Sequence, residues 1–271
     1  MNIKKYVTYT VLSAVIVGAS VSLSQKMNLI DHANASAEPT QITNSRGSNG
    51  GKYIQAFERM DRIPVIKNKA LKTNQNYSVL EGKISRKLEP TGEKEITELI
   101  VEQPGRFYIK HTPDANNPSQ FEEASNDGAI IRVKDFNGDI RKLEPMQNTF
   151  PSNQTASKDM IIPDYNGTYL PIGGVNELLH PEMFLQSAFS NGKVTIKGEE
   201  KFLERDTTVI AIDRESLEGK LGNRQTLWID NQTGIILKLV NSDGDQPIQT
   251  IAFEHIRFSD RANEALFQTL K

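Results

Sequence analysis

Cysteine is absent from the 271 residues. That excludes disulfides, thiolate metal sites, a cysteine nucleophile and a lipid-modified N-terminal cysteine. Tryptophan occurs once and histidine four times. The histidines, His32, His111, His180 and His255, are far apart, and no pair has the i, i+4 or H-x-H spacing of a metal site. They read as surface or hydrogen-bonded polar residues. An excess of one charge is lacking too. Lys and Arg number 32, Asp and Glu 34, for a formal net charge of −2. Nothing there points to nucleic acid. No G-x-S-x-G, H-E-x-x-H or phosphate-binding glycine loop occurs. The expectation is a protein that is not an enzyme and uses no cofactor or metal.

What is present begins with an N-terminal pattern. Lys4 and Lys5 precede the uncharged, largely apolar run from Tyr6 to Leu23. Ala35-Ser36-Ala37 fits a small-x-small cleavage site. Residues 1–37 read as an export signal or as an uncleaved single-span anchor, the run being near the lower length limit for a span. Either places the rest of the chain outside the cytoplasmic membrane, because the lysines stay inside. Residues 38–51 are rich in Ser, Asn, Thr and Gly and read as a flexible linker. No repeat and no second core stands out, so 52–271 reads as one domain.

Lys52 to Arg62 has Tyr53, Phe57 and Met60 at i, i+4 and i+7. That predicts a helix with one apolar stripe, ended by Pro64. The stripe packs on a sheet or faces a ligand. From Tyr77 the period changes to two. Strands are predicted over Tyr77–Leu88, Glu95–Gln103 and Arg106–Thr112, the last two separated by Pro104-Gly105. Pro113 to Ser125 reads as a polar loop. Gly128–Asp135 and Gly138–Leu143 form a hairpin around Phe136-Asn137-Gly138. The aspartates of that turn superficially resemble a calcium loop, but glycine stands at its fourth position rather than its sixth, so the segment reads as a turn.

Glu144 to Gly174 is a long connection rich in turn residues, the kind that is often functional. Asn176 to Phe189 is the second helical segment, divided by Pro181. Strands resume at Lys193–Lys197 and Thr207–Arg214. Gln225–Val240 is the clearest stretch of all: two apolar runs, Thr226–Ile229 and Ile235–Val240, joined by the polar Asp230-Asn231-Gln232-Thr233-Gly234. It predicts an antiparallel hairpin with Trp228 in its first arm and Asp230 and Asn231 as turn residues. In the last strand, Ile248–Phe258, Ile251 and Phe253 face one way and Ile256 and Phe258 the other. A bulge near Glu254 reconciles them. Ser259 can cap a final helical turn over Asp260–Phe267.

Several stretches, taken in order, resemble the LolA/LolB-like superfamily of lipoprotein carriers and the RseB/MucB-type envelope sensors. Ile100–Ile109 (IVEQPGRFYI) looks like that family's strand–corner–strand. Ser125–Val133 (SNDGAIIRV) looks like its Asn/Asp-Gly strand without the usual aromatic. Thr226–Lys238 (TLWIDNQTGIILK) is similar to its Trp-Ile-Asp hairpin, and Phe253–Phe267 (FEHIRFSDRANEALF) to its closing segment. The resemblance covers most of 52–271, the part that corresponds to the first of the two RseB-type domains.

The resemblance implies an α+β, mainly β fold: an incomplete antiparallel β-barrel of about eleven strands wrapped around helices that plug or lid its concave face. It implies a non-catalytic binding protein at the cell envelope, near a membrane surface, for a hydrophobic ligand, acyl chain or lipoprotein. The alternative it carries is a regulatory or structural interaction protein with no lipid cargo. Its envelope partner would be a sigma-factor regulator or a sporulation or germination cell-wall amidase. The apolar residues expected to line a cavity or its lid are Phe57, Met60, Phe107, Met183, Phe184, Leu185, Phe189 and Trp228. The same residues would equally build an ordinary filled core.

Overall fold

The computed structural model describes residues 62–144, 169–182, 185, 193–213 and 222–270. All of them fall within the unit Gly47–Lys271. The predicted signal or anchor, the linker, Phe57, Met60, Met183, Phe184, Phe189 and most of the 144–174 connection lie outside them.

Eleven strands form one antiparallel sheet. In chain order they are β1 (Val79–Leu88), β2 (Lys94–Glu102), β3 (Arg106–Thr112), β4 (Glu122–Asn126), β5 (Ile131–Lys134), β6 (Ile140–Leu143), β7 (Lys193–Phe202), β8 (Arg205–Asp213), β9 (Arg224–Asp230), β10 (Ile236–Asp243) and β11 (Gln246–Ser259). Their spatial order is β6-β5-β4-β3-β2-β1-β11-β10-β9-β8-β7. The sheet does not close: β6 and β7 are its two edges. This is the incomplete barrel that the family resemblance implied, assembled as two meanders joined where β11 returns beside β1.

The period of two decides the faces. On β3, Phe107, Ile109 and His111 point inward, and on β2 Thr97, Leu99 and Val101 do. These continue across β1 through Leu80 and Ile84, and across β11 through Ile251 and Phe253, into Leu239, Leu227, Ile210 and Ile212. One buried cluster thus runs along one face of the whole sheet. Helix α1 (62–70) lies over that face with Ile66 and Ala70, and the short α2 (Asn176–Leu179) with Leu178 and Leu179.

The bulge sits where the side-chain pattern required it. Lys83 pairs with His255 and Ile84 with Phe253, leaving Glu254 as the extra residue. Beyond it, Ile256 faces Gly82 and Phe258 faces Leu80, so both return to the inner face and pack against the core. Gly82 makes room for this arrangement. A Cβ there would stand 2.6 Å from Phe253 Cε1 and 3.0 Å from its Cδ1. Gly82→Ala is expected to destabilise by about 1–3 kcal/mol through overpacking, and Gly82→Val by more. Chemical denaturation of the two variants checks this.

Three expectations need correction. Pro64 does not end the first helix: residues 62–70 are helical and Pro64 lies among them. Proline's fixed φ, about −65°, is a helical value, so a proline does not by itself mark a helix end. Treating it as a terminator hid the stripe of Ile63, Ile66 and Ala70 that packs on the sheet. Part of the predicted polar loop Pro113–Ser125 is strand β4, whose Ala124 and Asn126 are buried beside Ile109 and Phe107. Its first residues are two glutamates, so neither apolar runs nor alternation betray it. The last helical turn is a 3-10 turn, Glu264–Gln268, and Asn263 rather than Ser259 caps it, accepting from the Ala265 N–H at 3.1 Å.

Candidate functional site

The inner face of the sheet is the surface on which the family resemblance placed a ligand. Phe107 and Leu185 belong to the one buried cluster there, at 0% and 1% exposure. Trp228 does not join them. Its neighbours Leu227 and Ile229 point inward, so alternation turns the indole to the opposite face. There its N–H donates to Glu200 and Lys238 Nζ stands 4.3 Å from its ring centroid. Tryptophan at this position serves the outer wall, a cation–π contact and a charge-assisted hydrogen bond.

A strap of chain, residues 169–182, covers the middle of the inner face. The Asn176 side chain closes it on itself. Its Oδ1 accepts from the Leu170 N–H at 2.9 Å and its Nδ2 donates to the Leu170 carbonyl at 2.8 Å. Leu170, Val175, Leu178 and Leu179 are buried beneath. Arg86 pins the strap to the sheet by donating to the Gly174 carbonyl. The helix that follows the sequence's Asn176 is interrupted at His180 and resumes at Pro181, the division expected there. His180 is buried, with Nδ1 2.9 Å from Glu182 Oε1.

Polar side chains share this apolar surface. Arg86 Nε lies 3.9 Å from Glu95 Oε2, and Thr97 Oγ1 lies 3.1 Å from His111 Nδ1. Burial raises the Glu95 carboxyl above its usual range, opposed by Arg86. Burial, with Arg86 nearby, lowers the His111 imidazole to about 4. His111 is therefore neutral in the folded protein at neutral pH. The unfolded chain takes up its proton near pH 6.5 and the folded chain near 4, so stability falls as pH drops through that window and is fully present above it. The expected loss is about 3 kcal/mol. Glu95, shifted upward, works in the opposite sense. Subtracting the pH profile of His111→Gln from that of the native chain isolates the histidine, and urea denaturation at pH 7 and pH 4 reads it.

A second feature lies where α1 crosses β8 and β9. Arg62, Val65, Ile66, Lys69, Thr208, Ile229, Asp230 and Asn231 line a groove of about 240 Å3. Its apolar members are Val65, Ile66 and Ile229, and Val65 is 67% exposed. The groove is closed at one end by the β9–β10 turn, where Lys69 Nζ donates to the Asn231 carbonyl at 3.1 Å. Gly234 holds that turn against α1, with φ of +83° and a virtual Cβ only 2.4 Å from the Lys69 carbonyl oxygen. A larger polar cleft of about 470 Å3 opens on the far side of the turn, between Tyr77, Arg205, Gln232 and Phe258.

Sequence reading missed the Arg86–Glu95 pair, His111 as an inward group, and the groove. The alternation Phe107, Ile109, His111 was the available signal for the histidine. It also undervalued Asp230, which is 1% exposed and does more than turn the chain. Its carboxylate accepts from Arg205 Nε at 3.1 Å and Nη2 at 2.9 Å, from the Thr233 N–H at 2.9 Å, and from the Thr233 hydroxyl. An Asp three residues before a Thr was the local cue. The Asp135 turn is a turn, as expected: its Oδ1 accepts from the Asn137 and Asp139 N–H groups. Among the described residues no group of three or more His, Asp or Glu could hold a metal ion. No described helix is long and apolar enough to cross a membrane.

No family model and no curated protein matches the sequence. Solved structures similar to it include the Pseudomonas aeruginosa MucA/MucB complex, at 14% identity over 74% of this chain and 59% of that chain, with a TM-score of 0.39. The chain thus spans about three-fifths of that one. Others are the Mycobacterium tuberculosis lipoprotein LppX, at 14% identity over 73% of this chain and 96% of that one, TM-score 0.40, and LprF from Mycobacterium bovis, at 16% over 73% and 94%, TM-score 0.37. These proteins, of LolA/LolB-like fold, are what the chain is similar to.

Proposed function

We propose that this chain is a non-catalytic, extracytoplasmic binding protein of the cell envelope that holds a hydrophobic ligand, an acyl chain or the lipid of a lipoprotein, against the inner face of its sheet. The observation that carries the reading is the groove under α1. Val65 is exposed beside the buried Ile66 and Ile229, so the apolar inner wall reaches the surface at that point. Ligand pockets run from about 300 to 1,000 Å3, and the groove is smaller. It serves as the entry, and an acyl chain lodges only when α1 or the strap shifts. The covering helix α2 suits such a shift: it is four residues long and has no side-chain cap hydrogen bond, and the Arg86–Gly174 bond just before it is the tie that must break. Each Å2 of acyl surface removed from water contributes about 25 cal/mol.

The test uses the full-length protein purified from membranes. Native mass spectrometry and lipid extraction should recover bound lipid, and a fluorescent fatty-acid probe should bind. Val65→Trp, an exposed position, should weaken probe binding without unfolding the chain. Recovery of no lipid together with no probe binding overturns the reading.

The filled packing of the middle of the inner face favours a second reading. Leu170, Leu178, Leu179 and Leu185 are all buried there at 1% exposure or less. A protein of this kind would carry no lipid and act by holding an envelope partner such as a sigma-factor regulator or a cell-wall amidase. A stoichiometric partner in membrane pull-downs, with no lipid recovered, supports it.

A further inference from the structure

The two edges of the open sheet differ in what they leave unused. β7 is long and bulged between Ile196 and Gly198, and three of its charged residues are engaged: Glu199 by Arg62, Glu200 by Trp228, and Lys201 by Asp206 at 3.4 Å. Such an edge resists further pairing. β6 is short and regular, and all four of its residues, Ile140-Arg141-Lys142-Leu143, are exposed. Of the six large apolar side chains exposed among the described residues, four are at this end of the sheet: Ile130, Phe136, Ile140 and Leu143. On the neighbouring β5, Arg132 is paired with Asp127 at 2.7 Å and Lys134 with Glu123 at 3.4 Å. Arg141 and Lys142 make no ion pair with the described residues, although the Arg141 charge is felt by the Glu122 carboxyl two strands away.

We propose that β6 is a docking edge for an extended segment of another polypeptide, one that carries an apolar–acidic–acidic–apolar run and adds to the sheet as a further strand. The register supplies the argument. Leu143 is paired with Ile131 and Arg141 with Val133, on the inner side, while Lys142 is paired with Arg132 and Ile140 with Lys134, on the outer side. A strand laid beside β6 places two consecutive residues opposite Arg141 and Lys142, one on each face. Acidic residues there meet two cations that make no ion pair with the described residues. Apolar residues before and after them meet Ile140 and Leu143. Main-chain hydrogen bonds along the edge supply affinity, and the side-chain pattern supplies selectivity. A second copy is a poor occupant. Two β6 strands overlapping at their centres bring Arg141 or Lys142 opposite Arg141 or Lys142, and like charges directly opposite destabilise a strand pair. This edge is independent of the groove under α1, so success or failure here leaves the ligand reading where it stands.

The experiment uses the full chain and two synthetic peptides of extended, Thr-flanked sequence, one with a central Val-Glu-Glu-Val and one with Val-Lys-Lys-Val. The native protein should bind the acidic peptide about tenfold more tightly than the basic one, and added salt should shrink the difference. The variant carrying Arg141→Glu and Lys142→Glu, both exposed positions, should reverse the preference. Hydrogen exchange should show the amides of 140–143 that point away from β5 slowed by the acidic peptide in the native chain. Equal affinity for the two peptides, a preference that does not reverse, or protection confined to another part of the sheet overturns the proposal. So does protection, in the peptide-free protein, of the 140–143 amides that point away from β5: in a monomer it means that the chain covers its own edge, and in a concentration-dependent dimer that a second copy does.

Discussion

Asp230→Ala is expected to lower stability by about 3–5 kcal/mol, the range for breaking a buried ion pair from one side. The lower end is favoured because Arg205 keeps 21% of its side chain exposed and can recover some hydration. Three losses coincide. The Arg205 guanidinium loses both of its bonds to the carboxylate, the Thr233 N–H and hydroxyl lose their acceptor, and the β9–β10 turn loses the group that organises it. Arg205 also stands 4.6 Å from the Phe258 ring centroid, so its displacement reaches β11. Asp230→Asn keeps an acceptor for Thr233 and should cost less. Urea midpoints of the two variants and of Arg205→Met separate turn from ion pair. If Asp230→Ala and Asp230→Asn lose the same amount, the Thr233 bonds contribute nothing and the account of the turn is wrong.

Phe107→Ala is expected to cost about 3–5 kcal/mol, the transfer of a phenyl ring plus the cavity it leaves. Phe107 is fully buried, paired across the sheet with Val101 on one side and Asn126 on the other. Regular strands on both sides restrain collapse into the space, so the value should stay in the upper part of that range. Phe107→Leu should cost markedly less. The sequence placed this residue in a ligand cavity or in a core, and the two roles separate here. A core residue loses stability in proportion to volume removed. A residue that only lined a ligand would leave the urea midpoint of the lipid-free protein unchanged.

Much of the fold was legible because its determinants are local. Alternation marks β3 to the residue. The polar turn from Asp230 to Gly234 marks the hairpin, and a shift of apolar phase marks the bulge at Glu254. Strand β4 was not legible, since Glu122 and Glu123 begin it and its partners β3 and β5 supply the reason for its extension. Pro64 misled for a related reason. A proline's fixed φ is compatible with helical backbone, and whether the helix runs on past it is decided by what the following turn packs against, here Ile66 and Ala70 on the sheet.

The candidate site was less legible. Of the eight apolar residues expected there, the described residues include Phe107, Leu185 and Trp228, and only the first two share the inner face. The pattern of Trp228 with its neighbours allowed either face. The choice follows from the register of β9 against β8 and β10, which turns Leu227 and Ile229 inward.

The sequence by itself determined that this chain is an antiparallel, mainly β protein, where most of its strands run and where its hairpin turns. Those features depend on side chains two to five residues apart, which backbone geometry couples directly. Only the tertiary structure decided that Arg86 ties the strap through Gly174, that Asp230 neutralises Arg205, that burial holds His111 neutral beside Thr97, and that Arg141 and Lys142 on the edge strand β6 make no ion pair with the described residues. Each of these joins residues from different strands or leaves a group unjoined, and it is the register of a finished sheet that brings such groups within reach or leaves them facing water.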